Sequence, residues 1–227
     1  MLFEFNLTGR LDKYPTWQCI KERANGTKIW QFDSIINVRF TKTSDTRSVP
    51  FRVLNWDAQG ILMKKADENN HCLVSGYCDR EKNGDIIWLV NECLPFHPTK
   101  YKRTVPDYRK LTAEMYALSS QKSITTDFGD LWIVNCIAIS SGKAIRIRLS
   151  CPTFNEHIAK GTHLLVMGKI TKFGKWEIGV MARKNITVLR TKGKRSAKEV
   201  FAEINVNATL PENIVEHDAE TGVTWVS

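Results

Sequence analysis

The sequence lacks the features that mark membrane proteins, secreted proteins and common enzymes. No run of 18 apolar residues occurs among its 227 residues, and a membrane-spanning helix needs about that length. The first ten residues have neither the basic start nor the long apolar core of a secretory signal. No P-loop, GxSxG, HExxH or paired-carboxylate motif is present, and none of the histidines is spaced with a nucleophile. These absences predict a cytoplasmic binding protein that is not an enzyme and does not contact membranes.

Paired cysteines are absent as well. The chain has six cysteines, but none forms a CxxC pair. Cys72, Cys78, Cys93 and His97 lie near one another in sequence, yet their intervening gaps of five, fourteen and three residues do not match structural zinc sites. We therefore expect reduced thiols in the core, and neither a metal nor any other cofactor.

Positive charge exceeds negative charge by a wide margin. Lys and Arg number 33 against 24 Asp and Glu, which gives a formal charge of +9 and a pI near 9.3. Seven cations and no acid lie between residues 183 and 198. An excess of this size favours a polyanionic partner.

The sign of the charge reverses near the C-terminus. Residues 199–227 hold six acids and no Lys or Arg, with little periodic hydrophobicity. This composition predicts a flexible acidic tail. Near its tip, Trp225 and Val226 are either incidental or an anchor for a partner protein.

Two sets of short β-type segments follow one another in the same order. From Arg52 to Gly76 is 24 residues, and from Arg146 to Gly168 is 22. The repeat predicts two similar five-stranded barrels, each with a glycine where a strand must bend. The segments are 51–56, 72–77 and 86–90 in the first set, and 145–149, 163–170 and 176–180 in the second. Helical spacing predicts three short helices, at 58–67, 112–120 and 196–204.

The same patterns predict four consecutive parts of the chain. The linker prediction rests on a stretch rich in prolines, polar residues and cations. The predicted parts are a first barrel domain over 1–98, a basic linker over 99–126, a second barrel with a basic C-terminal strip over 127–198, and the acidic tail over 199–227.

The segments Phe51–Trp56 and Leu73–Tyr77 resemble the bacterial and phage single-stranded DNA-binding protein family. In that family, an x-Arg-Val-x-x-aromatic strand is followed by a Val-x-Gly strand and a long hairpin. The resemblance covers residues 49–94, and in the second copy it holds at Arg146 and Gly168, while Ser150 replaces the aromatic residue. The resemblance implies that the barrels are OB-folds, so that the whole prediction is a mainly-β chain of two tandem OB-fold barrels with short helices and a flexible acidic tail. The family has one barrel per chain and a tail ending in Pro-Phe, so this chain departs from it in both respects.

A protein that binds unpaired strands without reading their sequence needs aromatic platforms beside cations. Alternation along the strands and the resemblance together predict such contacts in both copies. In the first copy they are Arg52, Trp56, Tyr77 and Trp88, although Trp88 suits the barrel core equally well. In the second copy they are Arg146, Arg148, Lys169, Lys172, Phe173, Lys175 and Trp176, although a buried Trp176 would leave an ordinary solvated hairpin.

These observations lead to the hypothesis of a sequence-tolerant single-stranded DNA-binding protein. It would coat and protect DNA in replication, recombination or repair, in the cytoplasm at the nucleoid or, if phage-encoded, in the host. The acidic tail would recruit replication or recombination proteins, and homo-oligomer formation stays open. Two alternatives remain: an OB-fold interaction subunit of a larger nucleic-acid machine, and a single-stranded RNA-binding protein.

Overall fold

The computed structural model describes most of the chain and contains, in that part, only β-strands as regular elements. Among the residues that it describes, no helix could cross a membrane. The chain divides into two units. The N-terminal unit comprises residues 5–77 and 87–109, and the C-terminal unit comprises residues 1–4, 78–86 and 110–227. The described residues are 1–11, 16–40, 45–54, 71–96, 108–127, 129–189, 215–217 and 224–226.

The first half of the chain forms six strands that build a closed ring with one extension. They are β1 (Phe3–Leu11), β2 (Thr16–Glu22), β3 (Lys28–Arg39), β4 (Thr46–Leu54), β5 (His71–Arg80) and β6 (Ile86–Phe96). Strand β1 pairs antiparallel with β3 and with β5, and β3 pairs antiparallel with β4. The ring closes because β4 pairs in parallel with β6, which lies beside β5. Strand β2 extends the ring as the antiparallel partner of β3.

The second half repeats this order. Its strands are β7 (Arg109–Ala117), β8 (Lys122–Thr126), β9 (Gly129–Ser140), β10 (Lys143–Cys151), β11 (His163–Phe173), β12 (Glu177–Met181) and β13 (Ile186–Val188). Strand β7 pairs antiparallel with β9 and β11, and β9 pairs antiparallel with β10. Strand β10 runs parallel to β12, which pairs antiparallel with β11 and closes the ring. Strands β8 and β13 add to its edges.

Alternation along the strands separates the core from the outer face. On β10, the side chains of Ile145, Ile147 and Leu149 are fully buried, while Arg146 is exposed and Arg148 is partly covered. A strand repeats every second residue, so these apolar and basic positions must point to opposite sides. On β10, the apolar side chains therefore lie in the interior and the two arginines lie on the outside, as predicted.

Strand β7 corrects two predictions. The segment 112–120 was expected to be helical, and 99–126 was expected to be a linker, whereas residues 109–117 and 122–126 are strands. The reason lies in a period of two: Leu111, Ala113 and Met115 are buried and the residues between them are partly exposed. The other predicted helices, 58–67 and 196–204, lie outside the described residues, as does most of the remaining linker.

The domain boundaries also differ from those predicted. The hairpin residues 78–86 belong to the C-terminal unit, although the sequence assigned them to the first domain. The Ile86 backbone N–H donates to the carbonyl oxygen of Lys175 at 2.6 Å. Conversely, Arg109 was counted as a linker cation, but it belongs to the N-terminal unit, where its buried guanidinium lies 3.7 Å from the ring centroid of Phe40. Such a cation–π contact offsets part of the cost of burying the charge.

Only a small part of the predicted tail is described. Strands β14 (Val215–His217) and β15 (Thr224–Val226) pair antiparallel, with Glu216 opposite Trp225 in the backbone register. The rest of the predicted tail and the residues from 190 to 198 lie outside the described residues. Flexibility of the tail therefore stays a prediction.

Five of the six cysteines are free and buried, as expected for thiols of the core, while Cys19 on β2 is free and exposed. Burial raises the pKa of the Cys151 thiol to about 11, and burial, reinforced by the neighbouring Cys151, raises the pKa of Cys136 further. Because the thiolate is the reactive form, these two residues are inert core side chains at neutral pH.

Gly76 on β5 lets the β5–β6 pair approach closely. A Cβ atom placed there would overlap the carbonyl oxygen of Leu89. We therefore expect Gly76→Ala to lower the free energy of unfolding by at least about 3 kcal/mol, measured by urea denaturation. Ser75→Ala on the same strand removes only an exposed hydroxyl that donates to Glu92 at 3.2 Å, so it should cost less than about 1 kcal/mol. Equal effects of the two substitutions would contradict this close packing.

Candidate nucleic-acid interface

The outer face of β10 presents the basic residues of the C-terminal unit. Arg146 lies beside Glu177 in the parallel register of β10 and β12. The Arg148 Nε lies 3.2 Å from Glu177 Oε1, and the Lys172 Nζ lies 3.7 Å from the same oxygen. Their side chains are 14% and 10% exposed, and that of Glu177 is 18% exposed. One carboxylate therefore lies close to three cations.

A glycine makes this arrangement possible. Gly179 on β12 lies between Arg148 on β10 and Lys172 on β11 in the strand register. A Cβ atom at Gly179 would approach the Lys172 Cβ to 2.7 Å and the Thr171 Oγ1 to 2.8 Å. Because Gly179 has no side chain, the Lys172 Cβ can lie close to β12, and the Lys172 ammonium group lies 3.7 Å from Glu177.

Arg80, in the hairpin at 78–86, and Lys143, on β10, add two cations to this face. The Arg80 Nε donates to the carbonyl oxygen of Gly84 at 2.9 Å, and the Lys143 Nζ lies 2.8 Å from Asp79 Oδ1. Burial lowers the pKa of the Arg146 guanidinium, the nearby charge of Arg80 lowers it further, and Glu177 partly offsets both effects. Arg80 and Arg146 therefore act on each other electrostatically.

We call this surface the cationic face. Its basic residues share one unit and are linked through the contacts with Glu177, Asp79 and the hairpin. Arg80 and Lys143 were not predicted from the sequence, because Arg80 precedes Lys143 by 63 positions and only the folded hairpin brings them together. The cationic face comprises Arg80, Lys143, Arg146, Arg148, Lys172 and Lys175.

Aromatic side chains accompany these cations at the turn between β11 and β12. Phe173 and Trp176 are both partly exposed, and Lys175 between them is exposed. Lys169, on β11, is partly exposed. The structure thus places the predicted residues of the second copy in one unit, with rings and cations interleaved at the turn. Such interleaving suits a strand whose bases stack on rings while its phosphates contact the cations.

The predicted site of the first copy is only partly described. Arg52 on β4 forms an ion pair with Asp33 on β3, with 2.8 Å between Nε and Oδ1, and Gln31 donates to the other Asp33 oxygen at 2.6 Å. Tyr77 on β5 is partly exposed. Trp56 lies outside the described residues, so its predicted role in stacking is neither supported nor contradicted.

The structure corrects the prediction that Trp88 stacks on a base. Its side chain was a candidate for base stacking, but it is only 3% exposed. Its ring packs edge-on against Phe5, with 4.9 Å between the centroids. Ile86, Trp88 and Val90 alternate onto the inner side of β6 and all three are buried, so Trp88 fills the core of the N-terminal unit and offers no face to a ligand.

Three exposed aromatic residues of the described part were not predicted. Trp30, near the start of β3, is 41% exposed, and Tyr108, just before β7, is 42% exposed. Phe154, after β10, is 57% exposed and packs against Trp132 at 4.8 Å. The Asn25-Gly26 turn signal of the β2–β3 hairpin, together with cations near the turn, would have marked Trp30 as a residue of an exposed hairpin. No comparable sequence signal marks Phe154. For Trp225 and Val226, only the backbone of β15 is described.

Comparison with solved structures identifies the fold. The chain is similar to the wild-type single-stranded DNA binding protein from Thermus aquaticus, at 15% identity and a TM-score of 0.54, over 86% of this chain and 96% of that chain. It is also similar to a deletion mutant of the same protein, at 16% identity and a TM-score of 0.55, over 85% and 97% of the two chains. No protein-family model and no curated protein sequence matches. The fold is therefore a mainly-β OB-type fold, as predicted.

Burial of Trp88 can be tested by its effect on stability. Because the ring is enclosed, Trp88→Ala should lower the free energy of unfolding by about 3–5 kcal/mol, measured by urea denaturation. Trp30→Ala, at an exposed position, should cost less than about 1 kcal/mol. A Trp88→Ala protein as stable as Trp30→Ala would show that Trp88 is not a core residue.

Proposed function

We propose that this protein binds single-stranded DNA through the cationic face and the neighbouring aromatic rings. The observation that carries the proposal is the clustering of six basic residues, two of which share the Glu177 carboxylate, beside the partly exposed Phe173 and Trp176. Phosphates of an unpaired strand attract such a surface electrostatically, and its bases stack on aromatic rings. The likeness of the fold to a single-stranded DNA binding protein supports the proposal.

The chemistry of this surface favours binding without sequence preference. Arginine and lysine side chains contact the phosphate, and aromatic side chains stack on the face of the base. Every nucleotide has both groups. A protein with this property coats whichever strand is exposed during replication, recombination or repair. We infer that it acts by protecting such strands and not by catalysis.

The acidic tail suits a second task. Its six acids oppose the basic residues that precede them in sequence, so the tail competes with nucleic acid for the same charges. When single-stranded DNA occupies the cationic face, the tail is released and becomes available to replication or recombination proteins. The hydrophobic Trp225 and Val226 would then anchor such a partner.

Replacement of Arg146 tests the cationic face. A fluorescent oligothymidylate titrated with the full chain should bind about ten-fold more weakly to Arg146→Ala at low salt, because a charge-assisted hydrogen bond contributes roughly 1.5 kcal/mol. The plot of log affinity against log salt should become shallower by about 0.7, the value for one phosphate contact on a single strand. Fluorescence anisotropy at several salt concentrations measures both effects.

Lys160→Ala provides the matched control, because Lys160 is exposed in the same unit and carries the same charge. Its affinity should stay within about two-fold of the original chain. Equal losses for the two variants would point to net charge alone. Preference for duplex DNA or for single-stranded RNA in competition would redirect the proposal to that ligand, and no binding at all would favour an interaction subunit.

Removal of residues 199–227 tests the tail. At low salt the shortened chain should bind the oligothymidylate about three-fold to ten-fold more tightly, because six competing carboxylates are lost. The difference should vanish at high salt. A full-length variant with the six acids changed to Gln or Asn separates charge from length: it should behave as the shortened chain does. Unchanged or weaker binding by both variants would refute competition by the tail.

A further inference from the structure

The row of residues Arg148, Gly179 and Lys172 leads to a more specific inference. These residues are aligned across three neighbouring strands, β10, β12 and β11. The central position has no side chain, and the two outer positions carry cations. Glu177, two residues before Gly179, lies on the same side of β12 because side chains alternate along a strand. Its carboxylate is the group that the two cations share.

The three charged side chains are largely covered. Arg148, Glu177 and Lys172 are all less than a fifth exposed, so water screens their interaction less than it would on an open surface. Covered cations need a counter-charge, and Glu177 supplies one negative charge to two of them. Arg146 is close enough for Glu177 to act on its pKa as well. These four residues together therefore carry three positive charges and one negative charge.

A phosphodiester has the properties that Glu177 has here. Both groups carry one negative charge, and both attract guanidinium and ammonium groups. Arg146, the register neighbour of Glu177, is exposed to solvent, so a strand that reaches Arg146 arrives beside the carboxylate.

We propose that the Glu177 carboxylate occupies the position of a backbone phosphate, and that a phosphate of the bound strand displaces it from Arg148 and Lys172. This inference rests on the proposed binding of single-stranded DNA. Glu177 is then a residue that sets affinity: it holds two covered cations in place without a ligand and competes with the ligand for them.

Replacement of Glu177 by glutamine tests this exchange. The amide keeps the size of the side chain but removes the competing charge. Glu177→Gln should therefore bind the oligothymidylate about five-fold more tightly at low salt, and its salt dependence should keep the slope of the original chain, because the same phosphate is engaged in both complexes. Anisotropy titrations measure both, and thermal unfolding with and without the oligonucleotide shows that the variant is folded.

Glu156→Gln is the matched control, because Glu156 is exposed at 80% of its side chain in the same unit. It changes the net charge equally, and it should alter affinity by less than about two-fold. When Arg148 is also replaced by Gln, Glu177→Gln should raise the affinity much less, because the cation for which carboxylate and phosphate compete is gone.

The outcomes separate this inference from the proposed function. If the original chain binds the oligothymidylate and folded Glu177→Gln binds it equally or more weakly, the carboxylate is only a structural counter-charge and the exchange is wrong. The exchange is also wrong if Glu156→Gln produces as large a gain in affinity as Glu177→Gln. If the original chain does not bind single-stranded DNA, the proposed function itself fails.

Discussion

The parallel pairing of β10 with β12 is the constraint on which the candidate interface depends. It closes the ring of the C-terminal unit, and its register places Arg146 beside Glu177 and Arg148 beside Gly179. The buried residues Ile145, Ile147 and Leu149 hold β10 in this register, because a shift by one residue would bring the arginines into the core. Packing inside the ring thus determines which charges meet on its outside.

Counter-charges recur at the partly covered cations that the structure describes on both units. Arg148 and Lys172 share Glu177, Lys143 contacts Asp79, and Arg52 contacts Asp33. Removing such cations from water is costly unless a partner is present. The pattern means that net charge overstates the number of cations available to phosphates. Under the proposed function, exposed residues such as Arg146 and Lys175 would meet an incoming strand first, and covered cations would join only when their carboxylate partners are displaced.

The sequence predicted the mainly-β fold and the outward direction of Arg146 because both follow from a period of two along the strands. It did not predict the strand at 109–117, since Leu111, Met115 and their neighbours also satisfy a helical spacing and only the pairing with β9 and β11 decides between them. The burial of Trp88 could not be predicted for a related reason. Alternation shows which residues share a side of β6 with Trp88, but it does not show whether that side faces the core. Arg80 was missed because nothing local marks a hairpin that joins the other unit.

Two described groups of charges, one in each unit, differ in their balance of cations and carboxylates. In the N-terminal unit, Arg52 is matched one to one by Asp33, which also accepts a hydrogen bond from Gln31. In the C-terminal unit, Glu177 faces Arg146, Arg148 and Lys172 together. An anionic strand is attracted to a surface on which cations outnumber carboxylates. If the chain binds an unpaired strand as proposed, the group around Glu177 would attract a phosphate more strongly than the Arg52–Asp33 pair, and the rings would supply the stacking.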